Sequence, residues 1–273
     1  MPDFLVNFLI VGTQKGGTTA LGKFLAQHSE ICFAPSKEVH FFDSVTYDRT
    51  AEPSLLNHQY QRAFPNWQGQ KLIGEATPIY MYFPFIAERI YDYNPQMKLI
   101  FLLRDPVDRA ISQYQMERGR GLEWLPLPIA LALEPLRLWY DRHNLQEKSS
   151  RRCHSYIDRG FYAQQILQMQ RHFPQQQMLF LKTSDLWQHH QETLRKIYDF
   201  LGIVDQTIIP QQELVFYQEQ PIKNDSIMHS LVNYFTKYYL QHRFRKANLQ
   251  LAKILGWHDF HQTKFFHQTK FKK

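Results

Sequence analysis

Three stretches of the chain concentrate side chains with chemical capacity. Residues 12–19 read GTQKGGTT, in which Gly12, Gly16 and Gly17 let the backbone come close to an anion, Lys15 supplies an ammonium, and Thr18 and Thr19 supply hydroxyl donors. Residues 37–43 read KEVHFFD and gather Lys37, two carboxylates, Glu38 and Asp43, and the imidazole of His40, a set suited to moving a proton. Residues 102–112 read LLRDPVDRAIS and offer Arg104 and Ser112 as donors to a phosphate.

The first stretch matches the phosphate-loop pattern G-x-x-x-x-G-K-[ST] at Gly12, Gly17 and Thr19, but Thr18 stands where the lysine belongs. In a nucleoside triphosphatase that lysine reaches the terminal phosphates, and an acidic residue on a second strand helps to hold magnesium. Here the second strong apolar run, KLIFLLRD, meets an arginine before its aspartate. The loop therefore fits a less charged group that needs no metal. Each residue also has a plainer reading: Lys15 as a solvated loop lysine, Glu38 with Lys37 as a surface ion pair, His40 as a structural hydrogen-bonding residue, and Arg104 with Asp105 as a helix cap.

These residues need elements to position them. Phe4–Val11 is an apolar run bounded by Gly12, as expected of a strand buried on both faces of a parallel sheet, and TALGKFLAQHS after the loop has helical spacing. A short strand starts at Ile31, another ends at Gly74–Glu75, and Met97–Leu103 is the second strong strand. Pro106 suits the first turn of the helix that follows it. Residues 119–155 read as a loop and helix insertion, Gly160–Phe173 as a helix, Met178–Leu181 as a further strand, Gln191–Leu201 as a helix stopped by Gly202, and 226–255 as helix broken once. Strands alternating with helices imply an α/β fold with a mostly parallel sheet, whose ligands bind at the carboxyl ends of the strands. Both the 12–19 and the 104–112 loops follow strand ends.

The chain has 273 residues, 44% of them hydrophobic, enough for one packed domain over 1–258, followed by a basic tail expected to be disordered over 259–273, where FHQTKF occurs twice. A formal charge of +7 favours an anionic ligand or partner. Cys32 and Cys153 are too few for a disulfide framework and suggest a reducing compartment. No apolar run has the length of a membrane span, and the N-terminal one lacks the features of a signal peptide, so the expectation is a soluble, cytoplasmic protein without integral membrane association.

Taken together, GTQKGGTTAL after a strand, APSKEVHFFD downstream and LLRDPVDRAISQY after another strand resemble the sulfotransferases that use 3'-phosphoadenosine 5'-phosphosulfate (PAPS), most closely the branch acting on glycosaminoglycans such as heparan sulfate. RGFYAQQILQMQRHFP, LFLKTSDL and LAKILG extend the resemblance over residues 8–256. It implies a phosphate-loop nucleotide-binding fold, PAPS as donor, adenosine 3',5'-bisphosphate (PAP) as product, no metal, and an acceptor that is a sugar or other small molecule. By the same resemblance Lys15, Gly16, Gly17, Thr18 and Thr19 hold the 5'-phosphosulfate, with Lys15 also stabilising the departing bridging oxygen. Arg104 and Ser112 bind the 3'-phosphate, and Arg159, Gly160 and Tyr162 lie near the nucleoside end. Glu38 is the base, His40 and Asp43 position it or the acceptor, Lys37 contacts the acceptor, and Glu75 is a substrate-positioning or structural acid.

The sequence departs from that branch in its C-terminal part. No basic, glycine-containing loop or cysteine pair is found there, and QEQPIKNDS offers only Lys223 to close on the 3'-phosphate. The N-terminal anchor and stem of the Golgi members are also missing, which makes the chain resemble a soluble bacterial relative. Two other functions compete: a metal-dependent small-molecule kinase, opposed by the missing lysine, and a basic nucleic-acid-binding protein, opposed by dispersed basic residues and the lack of any recognition motif. No nucleic-acid partner is expected.

Overall fold

A computed structural model describes residues 3–36, 38–204 and 227–257. Five parallel strands, β1 (Phe8–Gly12), β2 (Ile31–Phe33), β3 (Leu72–Ala76), β4 (Lys98–Leu103) and β5 (Met178–Lys182), form one sheet in the order β2-β3-β1-β4-β5. The expected strands are all present, although the first begins at Phe8 and Phe4 and Val6 are buried ahead of it.

Alternation along the central strands decides what covers each face. Leu9 and Val11 of β1 join Leu99, Phe101 and Leu103 of β4 in one cluster, while Phe8 and Ile10 join Ile100 and Leu102 in the other. The first cluster is completed by α3 (Ile86–Tyr93) and α7 (Tyr162–Gln170), with Tyr60 of α2 (Pro53–Gln61). The second is completed by α1 (Thr18–Leu25), α8 (Thr183–Gln188) and α9 (His190–Leu201), which ends at Gly202 with φ 85°.

A third cluster lies beyond the sheet. It joins Val107, Ala110 and Tyr114 of α4 (Pro106–Gly119), Ala130 and Leu131 of α5 (Leu127–Tyr140), and Leu240 and Phe244 of α10 (Ile227–Leu255). Gly160 lies under the Phe244 ring, where a Cβ would come within 2.4 Å of Cε1. The expected break in the last helix does not occur: α10 runs unbroken. Its contacts change partner along its length, Leu240 and Phe244 packing on the third cluster and Leu251 on the first, so its apolar face is not one straight stripe.

From β1 the chain travels to β2 on one side of the sheet, and from β4 to β5 on the other. The loops after β1 and β4 therefore diverge between two neighbouring strands, the place where open α/β sheets bind ligands.

Candidate active site

The loop after β1 is clamped from several directions. The Thr13 amide donates to the Leu102 carbonyl at 2.9 Å, and the Thr13 hydroxyl donates to the same oxygen at 3.2 Å. Arg104 donates to the Lys15 carbonyl at 3.0 Å, and the Thr183 hydroxyl donates to the Gly16 carbonyl at 2.7 Å. At Gly16 a Cβ would come within 2.6 Å of the Leu102 oxygen, so a side chain does not fit. Gly17, with φ 94°, turns the chain into α1, whose first amides and positive dipole end open onto the loop. Thr18 is buried and Thr19 half-buried in the first turn. Lys15 is left-handed, with φ 67°, a conformation that costs a lysine energy.

The loop after β4 divides its labour. Asp105 caps α4, its carboxylate accepting the amides of Val107 and Asp108 at 2.9 and 3.1 Å, so half of the helix-cap reading is realised. Arg104 instead turns toward the first loop. Tyr162 is buried and its hydroxyl donates to the Arg104 carbonyl at 3.0 Å, which makes it a support for that arginine's backbone. Ser112 is buried on α4.

Glu38, His40 and Asp43 form one chain of contacts. His40 Nε2 lies 3.2 Å from Glu38 Oε2, and Nδ1 lies 2.9 Å from Asp43 Oδ2. Burial opposes a charge on His40, but the hydrogen bonds and charges of Asp43 and Glu38 outweigh it and raise its pKa to about 10. The ring is thus an imidazolium at neutral pH. Burial also works against ionised Asp43, yet its bonds and charge pairing with His40 and Arg152 hold its pKa below the usual carboxylate range. Arg152, on the short helix α6 (Ser150–Cys153), donates to Asp43 Oδ2 at 2.5 Å and to its carbonyl at 2.9 Å.

Glu75 lies deeper. It is fully buried and accepts the Tyr60 hydroxyl at 2.9 Å and the Thr77 hydroxyl at 2.7 Å, while Thr77 in turn accepts the amides of Val39 and His40 at 3.0 and 3.3 Å. Burial raises its pKa to about 7, against the opposing hydrogen bonds of Thr77, Tyr60 and Tyr80. Of its two expected roles this geometry fits the structural one: Glu75 holds Thr77, and Thr77 holds the backbone of the 38–43 segment.

The first and second motifs are joined through Arg159 and Arg152, which lie in neither of them. Gln14 accepts a bond of 2.5 Å from Arg159, and Arg159 donates to the carbonyls of Arg151 and Arg152 at 2.9 and 2.7 Å. Gln14–Arg159–Arg152–Asp43–His40–Glu38 is therefore one continuous network from the glycine loop to the carboxylate. Arg109 and Arg159 are buried behind the loop and line a small cavity with Thr13, Gln14, Tyr82 and Gln165. Burial lowers the Arg159 pKa to about 10, which leaves it charged at neutral pH, and the Nε of each guanidinium lacks a hydrogen-bond partner. Arg159 was expected near the site, whereas Gln14, Thr77, Arg109, Arg152 and Thr183 were not. The only available signal was that Thr77 and Thr183 closely follow strand ends. Lys37 and Lys223 lie outside the described residues.

Comparison with known proteins places the chain in a family. The pattern that defines the sulfotransferase domain matches residues 6–247. Mouse heparan sulfate glucosamine 3-O-sulfotransferase 6 is 33% identical over 195 residues, 71% of this chain and 52% of that protein. Mouse heparan sulfate glucosamine 3-O-sulfotransferase 3B1 is 32% identical over 214 residues, 78% of this chain and 50% of that protein. The chain thus spans about half the length of these curated relatives. The crystal structure of a sulfotransferase from Alicyclobacillus acidocaldarius superimposes with a TM-score of 0.71 at 26% identity, covering 92% of this chain and 96% of that one. With the 2-3-1-4-5 parallel sheet of the phosphate-loop nucleotide-binding fold, a clamped glycine loop at its switch point and a domain match over most of its length, this chain belongs to the sulfotransferase family.

Proposed function

We propose that the protein transfers a sulfuryl group from PAPS to a hydroxyl or amine of an acceptor, a carbohydrate by analogy with the relatives' names. The observation that carries this reading is the network from Gln14 to Glu38, which ties an anion-binding loop to a positioned carboxylate. The loop suits an anionic donor: α1 turns its amide end toward it, and two buried guanidiniums with unpartnered Nε atoms lie behind it.

PAPS supplies an activated sulfuryl group. Lys15, Gly16, Gly17, Thr18 and Thr19 hold its phosphosulfate, and Lys15 stabilises the charge that grows on the bridging oxygen, worth about 3 kcal/mol by comparison with oxyanion-hole donors. Arg104 and Ser112 take the 3'-phosphate, and Lys223 closes on it. Glu38 accepts the acceptor's proton as the new S–O or S–N bond forms and the bond from sulfur to the bridging oxygen breaks. His40, charged and held by Asp43, fixes the orientation of the Glu38 carboxylate. Lys37 contacts the acceptor. The chemistry is in-line displacement that relies on placement and charge stabilisation, with PAP as product.

Calorimetry with PAP, with ATP plus magnesium and with duplex DNA tests the donor. Binding of PAP that is indifferent to magnesium and tighter than that of ATP is expected, and a preference for ATP-magnesium or DNA overturns the reading. Labelled sulfate transfer to desulfated heparan oligosaccharides tests the chemistry. Glu38→Gln should lose transfer while still binding PAP, and full transfer in that variant removes Glu38 as the base.

A further inference from the structure

Helix α5 is built inside out with respect to charge. Every exposed position along it is apolar or aromatic, including Ile129, Leu133, Leu136, Trp139 and Tyr140, and Trp124 just before it is 78% exposed. Its charged side chains instead point inward. Glu134 is buried and accepts the amides of Ile157 and Asp158 at 2.8 to 2.9 Å, and Arg137 is half-buried against Glu123 at 2.5 Å. A solvated helix would carry the opposite pattern.

The flanks are sorted by sign as well. From residue 117 to 141 the acids Glu117, Glu123 and Glu134 are buried, and half-buried Asp141 is occupied with the Ser150 amide at 2.5 Å. The arginines Arg118, Arg120 and Arg142 are exposed. Two of them sit at the exposed tryptophans: Arg118 donates to the Trp124 carbonyl at 3.3 Å, and Arg142 lies 5.2 Å over the Trp139 ring and donates to its carbonyl at 3.1 Å.

We propose that this face is a docking surface for an anionic lipid bilayer, on which α5 lies flat with its aliphatic side chains in the acyl boundary. Three features select a bilayer over a protein partner. Tryptophan and tyrosine favour the headgroup level, where an apolar body and a polar tip are both accommodated. The paired arginines sit where lipid phosphates would lie, and no exposed acid between Arg118 and Arg142 opposes them. A protein interface would bring matching polar groups to its centre, whereas between the flanking arginines the exposed side chains of α5 and Trp124 offer only two indole N–H groups and one phenol. At 14 residues the helix is too short to span, and no helix among the described residues is long and apolar enough to do so.

The test is co-flotation of the full chain with phosphatidylcholine vesicles and with the same vesicles containing phosphatidylglycerol, alongside sedimentation velocity. Binding to the anionic vesicles is expected, weakened by salt, with a blue shift of tryptophan emission. Arg142→Gln should weaken partition roughly fivefold, and Leu133→Glu/Leu136→Glu should abolish it while thermal melting is unchanged. Failure to float with anionic vesicles overturns the proposal, as does equal binding by the double variant. A concentration-dependent dimer dissolved by Leu133→Glu/Leu136→Glu would replace the bilayer with a second copy of the chain.

Discussion

Arg152→Met removes the cation that anchors the Glu38–His40–Asp43 chain. The Arg152 side chain is 11% exposed and that of Asp43 fully buried. Three bonds are lost, to Asp43 Oδ2 at 2.5 Å, to the Asp43 carbonyl at 2.9 Å and to the Leu145 carbonyl at 2.9 Å. Breaking one side of a buried pair typically costs 3–5 kcal/mol. His40 still faces Asp43 at 2.9 Å, which places the expected loss near the lower end, about 3 kcal/mol. Asp43→Asn, which strands Arg152, should cost a similar amount, and the double variant should cost less than the sum by about 1.5 kcal/mol or more, because neither charge is then left facing an empty place. Urea unfolding at pH 7 with matched m-values reads all four corners of this cycle. A loss below about 0.5 kcal/mol for Arg152→Met, the range of an exposed pair, or strict additivity would refute the argument that this is a buried, coupled anchor. Sulfate transfer gives a second readout: kcat should fall more than the KM for the donor rises, since the loop proposed to hold the donor is untouched.

Two further outcomes follow from the same region. Lys15 carries φ 67°, so Lys15→Gly should raise the unfolding free energy by roughly 0.5–1 kcal/mol while sulfate transfer falls on the order of 10²–10³-fold; a loss of stability, or retained transfer, contradicts the reading of a strained functional lysine. The folded-state pKa of His40 is about 10 against 6.5 for the free side chain, so its contribution to stability is complete below pH 6.5 and is lost as pH rises through 10. Chemical denaturation from pH 6 to 10 should show this decline, and His40→Asn should flatten it; an unchanged slope would mean that the imidazole is not held charged.

Much of the fold is legible because its central strands are apolar on both faces. Phe8–Val11 and Leu99–Leu103 read as strands for the same reason that they sit at the middle of the sheet: each successive residue faces a different cluster. The glycine loop and KEVHFFD are legible because their chemistry is local in sequence. Arg152 and Gln14 are not, since Arg152 meets Asp43 from 109 residues away and Gln14 meets Arg159 from 145 away, and neither pairing leaves a periodic or compositional trace. Glu75 shows the limit differently. An acid at a strand end is visible in LIGEA, but whether it faces a cleft or the interior depends on Tyr60 and Thr77 arriving from other segments. In α10 the misreading came from a helix whose contact face shifts from one cluster to another, which mimics a break in period.

The clamps on the glycine loop also constrain the order of events during folding. Arg104 reaches it from 89 residues downstream and Thr183 from 167, so the loop geometry cannot be locked by the β1–α1 unit alone. Until β5 has joined the sheet and delivered Thr183, the Gly16 carbonyl lacks that partner. The locked form of the loop is thereby a late property of the chain, available only once the far edge of the sheet is in place, and the Thr13 and Gly16 amides should show hydrogen-exchange protection close to that of β4 rather than that of a surface loop.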